Sequence, residues 1–153
     1  MKVSDILRLK SSALYTVTPS ENLMSALQLM TERDIGSLLV MENGVLVGMV
    51  TVRELTQVLV KSGGDIKQTT VREAMDVKPL TCTLETDMDE VRHMMLDSHA
   101  RYMPVMDGST LMSVISFHDV ARAVVEQENF ENKMLKAYIN DWPESADEPS
   151  SKL

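Results

Sequence analysis

Among the hydroxyl–carboxylate pairs that stand three residues apart in this chain are Ser116 with Asp119 and Thr51 with Glu54. At the start of a helix such a pair satisfies free backbone N–H groups as a capping box. Facing a cleft, an ionised carboxylate accepts charge-assisted hydrogen bonds from the hydroxyls of a ligand. For Ser116 and Asp119 the two uses are compatible. Thr51-x-x-Glu54 is the better capping box, with capping and ligand binding equally open there. Arg53 and His118, beside the two pairs, can reach a phosphate or remain solvated surface groups. Other chemistry is poorly represented. His93, Asp97 and His99 have ligand types whose spacing matches no closed metal site. Cys82 lies in an apolar strand, the usual place of an inert thiol. Neither a phosphate-cradling glycine loop nor a Gly-x-Ser-x-Gly elbow occurs. Binding is expected here, and neither catalysis nor a metal.

The elements that position these pairs come in two copies. Residues 15–59 and 80–124 align without a gap at a constant offset of 65, with apolar positions coinciding nearly throughout. Each copy predicts a short strand (15–18 and 80–83), then a helix. Leu23, Ala26, Leu27 and Met30 mark one face of the first helix; Met88, Val91 and Met95 mark the second. Thr86 and Asp89 have the spacing of a cap for the latter. Strands at 37–41 and 102–106 lead through turns at Asn43-Gly44 and Asp107-Gly108-Ser109 to strands at 45–50 and 111–115. A closing helix follows, the first ending at Ser62-Gly63-Gly64. Val3-Ile6-Leu7 and Val71-Ala74-Met75 read as matching lead-in helices. A separate amphipathic helix is expected over 129–143, stopped by Trp142-Pro143, with a disordered tail at 144–153. Two copies of one unit imply that each uses the other as its core, and their seam makes two related clefts.

Composition bounds the function. A chain of 153 residues with 44% hydrophobic residues suits one domain or two intimately packed small ones. Its net charge of −8 argues against nucleic-acid binding, which rests on clustered Lys and Arg. No apolar run approaches the ~18 residues of a membrane span, and the start of the chain lacks the pattern of a signal peptide. With its single cysteine, the chain is expected in a reducing cytoplasm.

A tandem βαββα unit with these strand and helix-start motifs resembles the cystathionine-β-synthase (CBS) domain, in the small stand-alone bacterial form of a CBS pair, or Bateman module. The residues that carry the resemblance are Ile35-Gly36-Ser37-Leu38-Leu39-Val40 with Gly48 to Glu54, and Arg101-Tyr102-Met103-Pro104-Val105 with Val114 to Asp119. It implies an α+β fold with pseudo-two-fold symmetry, one CBS domain at 1–64 and a second at 65–128. It further implies a regulatory module that binds an adenosine nucleotide (AMP, ATP or NAD) at the seam, forms a homodimer and signals to a separate effector protein. Asp119, with Ser116, would accept the ribose hydroxyls and carry the tighter of two sites. Glu54 departs from the family's aspartate by one methylene, which weakens its claim. Arg101 would meet a phosphate bidentately; otherwise it is a surface arginine paired with Asp97 or Asp107. Ile35, Gly36 and Ser37, with Ala13 and Leu14, would wall the adenine of the Asp119 cleft. Ala100, Arg101 and Tyr102 would do so for the Glu54 cleft. The rival expectation is a protein-interaction scaffold of the same fold that binds no nucleotide.

Overall fold

The computed structural model describes residues 1–10 and 13–141. The expected stop at Trp142-Pro143 and the tail at 144–153 lie outside them. Twelve elements follow one another: α1 (Val3–Arg8), β1 (Thr16–Val17), α2 (Leu23–Arg33), β2 (Ser37–Glu42), β3 (Val45–Thr51), α3 (Val52–Ser62), α4 (Val71–Ala74), β4 (Cys82–Thr83), α5 (Met88–Ser98), β5 (Tyr102–Asp107), β6 (Thr110–Ser116) and α6 (Phe117–Asp141). Each repeat is a three-stranded sheet, β1-β2-β3 and β4-β5-β6, with a parallel first pair and an antiparallel second. Even the irregularity repeats: the antiparallel register shifts at Val40/Met41 and again at Val105/Met106. The chain forms two compact units, Met1–Val120 and a second that begins at Ala121. The first contains both sheets.

Local chemistry accounts for the boundaries. Asn22 caps α2, its side chain accepting from the Met24 N–H at 2.9 Å, and Asp34 ends the helix in the left-handed region. Gly63 closes α3 at φ 66°, where a side chain would be strained. The cap of α5 differs from expectation. Asp87, not Thr86, accepts from Asp89 N–H at 3.1 Å, while the Thr86 hydroxyl accepts from Thr83 N–H at 3.0 Å and tightens the preceding turn. The two first strands are also shorter than their β-branched runs suggest. Instead of breaking near Glu128, the last helix runs unbroken from Phe117 to Asp141, because no proline or glycine interrupts it.

The lead-in helices exchange repeats. Val71 and Ala74 of α4 join the core of the first repeat with Val17, Leu23, Ala26, Met30, Leu38, Val40, Val50 and Ile66. Val71 N–H donates to Glu21 O and Arg72 N–H to Pro19 O, both at 2.9 Å. In the mirrored arrangement Val3 N–H donates to Thr86 O and Ser4 N–H to Leu84 O of the second repeat, at 2.9 and 3.0 Å. A four- or six-residue helix is too short to stand alone, so each is held by the apolar face of the opposite repeat. Because of this exchange the connector that follows α4 runs along the seam.

Candidate functional site

An open cleft of about 490 Å³ lies on the seam, lined from both repeats. Its first wall is the junction of β3 and α3, with Met49, Thr51, Val52, Arg53, Glu54 and Thr56. The connector after α4 supplies Asp76, Lys78, Pro79 and Leu80. The opposite wall is the turn from α5 to β5, with Ser98, His99, Ala100, Arg101 and Tyr102. Thr51, Arg53 and Glu54 are thus brought together with Ala100, Arg101 and Tyr102, the grouping expected for this cleft.

Glu54 is buried, and its Oε1 accepts from both the Thr51 N–H, at 2.8 Å, and the Thr51 hydroxyl, at 2.7 Å. The capping role is therefore real. Among the described residues its second oxygen has no protein partner and Glu54 makes no ion pair, so an acceptor remains for a donor from a ligand. Arg53, Lys78 and Arg101 are exposed cations on the lining, and Val52, Pro79, Leu80 and Tyr102 give it apolar surface. Such a mixture can take a flat apolar group at one place and an anion at another.

Nine of these residues were absent from the sequence-based set: Met49, Val52, Thr56, Asp76, Lys78, Pro79, Leu80, Ser98 and His99. Lys78 and Pro79 lie at the repeat offset from Ala13 and Leu14, so applying the duplication to the connectors would have found them. His99 has φ 57° and ends α5 where Asp34 ends α2, a position at which both residue types tolerate the left-handed region.

The second hydroxyl–carboxylate pair is built alike but differently occupied. Ser116 N–H donates to Asp119 Oδ2 at 2.8 Å, and Asp119 N–H donates to the Ser116 hydroxyl at 3.0 Å. The Lys10 ammonium also reaches Oδ2, at 2.9 Å, and the Val114 carbonyl, at 2.7 Å. Burial acts to raise the Asp119 carboxyl, but the Ser116 N–H and the Lys10 charge outweigh it and hold the group below the ordinary carboxylate value. His118, Ala13 and Leu14 are exposed, Ile35 is half-buried and Ser37 is buried in β2. Gly36 is covered by Tyr102: a Cβ there would overlap the tyrosine hydroxyl.

A pH prediction follows from that lowered carboxyl. The stabilisation it contributes is fully present above its unfolded value of about 3.9 and disappears as pH falls through the lower folded value. Asp119→Asn should therefore differ most from the parent above the ordinary carboxylate range, at about pH 6, and converge on it as pH falls through the lowered folded value. Urea unfolding across that range reads the difference; a gap that widens on acidification would contradict the assignment.

Burial pushes the Cys82 thiol up to about 11, which leaves it protonated and unreactive at neutral pH. Among the described residues no three His, Cys, Asp or Glu side chains are grouped to hold a metal, and no helix is long and apolar enough to cross a membrane.

Comparison with known proteins places this geometry. The family model for the CBS domain matches twice, at residues 3–61 and 71–126. The mitochondrial CBS domain-containing protein CBSX3 of Arabidopsis thaliana is 29% identical over 146 residues, covering 90% of this chain and 71% of the plant protein. A solved structure of a protein with CBS domains from Burkholderia ambifaria superposes with a TM-score of 0.78 at 32% identity, covering 82% of this chain and 95% of that one. CBSX2, solved in complex with AMP, superposes with a TM-score of 0.70 at 25% identity over 83% of this chain and 98% of its own. The two matched segments coincide with the two sheets and their exchanged lead-in helices, and the chain belongs to the CBS domain family as a tandem pair of such domains.

Proposed function

We propose that this protein is a regulatory sensor that binds an adenosine nucleotide, of the AMP, ATP or NAD type, at the seam of its two repeats and signals occupancy to a separate protein. The observation that carries the reading is the open cleft itself. Its 490 Å³ falls within the 300–1,000 Å³ typical of small-molecule sites. An unpartnered carboxylate oxygen of Glu54 suits a ribose hydroxyl, and Arg53, Lys78 and Arg101 suit phosphate. The complex of CBSX2 with AMP supports adenosine as the ligand class. Both repeats line the cleft, so a ligand that touches both favours one of their arrangements over others, which is what a sensor requires.

The same reading takes the working form as a cytoplasmic homodimer. Phe130, Met134, Leu135 and Ile139 are exposed apolar residues on α6 that a second copy would cover, and the one cysteine is unbridged.

Calorimetric titration with AMP, ATP, NAD, GMP and CMP tests the proposal. Saturable binding of an adenine compound, with GMP and CMP silent, is expected. If no adenine compound binds, and none is released on denaturing the purified protein, the scaffold reading replaces this one.

A further inference from the structure

Lys10 and Asp119 form the least exposed ion pair among the described residues, with side chains 18% and 16% accessible. Every other pair has both partners more than a third exposed, the condition under which such pairs contribute little. The half-buried pair joins residues far apart in sequence, and the Lys10 ammonium is held a second time by Val114 O.

The internal duplication supplies a control. The connectors from α1 to β1 and from α4 to β4, residues 9–15 and 75–81, are equally long. Their second residues are Lys10 and Asp76, which stand 66 apart, one more than the repeat offset. Each is bonded to the matching strand residue of the opposite repeat, Val114 in one case and Met49 in the other. Asp76 does so through its backbone, donating to Met49 O at 2.9 Å and accepting from Met49 N–H at 3.0 Å. Lys10 does so through its ammonium. At the offset of 65 the counterpart of Lys10 is the uncharged Met75, and among the described residues no cation of the second connector pairs with Glu54 as Lys10 pairs with Asp119. Glu54 therefore stands at an open cleft without a counter-ion, whereas Lys10 neutralises Asp119.

We propose that Lys10 is a tethered cation that occupies the Asp119 cleft and thereby decides which of the two clefts takes ligand first. This rests on the adenosine reading for the identity of the ligand, but not for the latch. A ribose diol approaching Asp119 meets a carboxylate whose charge is already neutralised and whose Oδ2 is shared by an N–H and an ammonium, so only Oδ1 stays open and taking both hydroxyls requires the ammonium to leave. Glu54 imposes no such competition. The ligand therefore enters at Glu54, and Asp119 follows only when Lys10 is released.

Two measurements test this, one of them independent of any ligand. Reductive methylation followed by mass spectrometry should find Lys10 modified at least about tenfold more slowly than the exposed Lys61 and Lys67. Asp119→Asn should abolish that protection. Equal labelling of all three in the parent protein would overturn the latch, whatever the ligand proves to be. Calorimetry with AMP should then show that Lys10→Met takes up one more equivalent per chain than the parent, while Lys10→Arg, which keeps the cation and controls for folding, does not. Unchanged stoichiometry in a folded Lys10→Met protein that still binds AMP would also overturn it. If AMP binds neither the parent nor Lys10→Met while the labelling pattern holds, the adenosine reading fails and the latch stands.

Discussion

Replacing Arg101 by alanine is expected to weaken AMP about tenfold or more and to leave adenosine almost untouched. The guanidinium lines the open cleft from the turn that precedes β5, across from the Thr51/Glu54 junction. A hydrogen bond to a charged group contributes roughly 1.5–3 kcal/mol, and only the phosphate-bearing ligand has a charged group to offer it. Arg101 is exposed, so salt should also erode AMP binding more than adenosine binding. Calorimetric titration of both ligands into the parent and the variant separates the terms. An equal loss for AMP and adenosine would return this arginine to a surface role. Glu54→Gln is the companion measurement: it should weaken both ligands, since both carry the ribose.

Gly48→Val should cost stability and ligand affinity together. Gly48 is buried in β3 opposite Val40. A Cβ there would stand 2.7 Å from the Met75 sulfur and 2.9 Å from the Asp76 carbonyl oxygen. The thioether can swing aside. The backbone oxygen cannot move without disturbing the paired hydrogen bonds between Asp76 and Met49. Overpacking of this kind typically costs about 1–3 kcal/mol. The displaced segment also carries Lys78, Pro79 and Leu80 into the cleft wall, so AMP affinity should fall as the connector shifts. Urea unfolding and AMP titration of the same preparation give the two readouts. Loss of stability with unaltered affinity would show that the connector does not shape the site.

Much of this architecture is legible one residue at a time. The offset of 65 and the apolar spacing of Leu23, Ala26 and Met30 locate the repeats and their helices. Asn43-Gly44 locates a turn whose residues both have positive φ, 52° and 77°. Thr51-x-x-Glu54 and Ser116-x-x-Asp119 announce two helix starts, the first of which lines the open cleft. These are properties of neighbouring residues, and local propensity or periodicity reports them. Where two local signals compete, the reading is less sharp: Thr86 and Asp87 are both good capping residues, and the turn at Thr83 uses the first and leaves α5 to the second.

The difference between the clefts has another origin. Motif quality in the sequence points to Asp119 over Glu54, because Ser-x-x-Asp is the closer match to the family pattern. In the folded chain Asp119 is the carboxylate already paired with a cation, and the open volume is at Glu54. Nothing near Asp119 in sequence foretells this. The cation comes from residue 10, carried across by a lead-in helix that packs on the opposite repeat. Likewise, Gly36 suggests a close backbone approach, but only the folded chain shows that the neighbour it admits is Tyr102 of the other repeat. Neighbouring residues fix the repeated unit, its helix caps and the two hydroxyl–carboxylate pairs, since each depends on residues a few positions apart. Tertiary structure alone decided which carboxylate is left without a counter-ion, because that depends on which distant side chain the exchanged helices deliver to it.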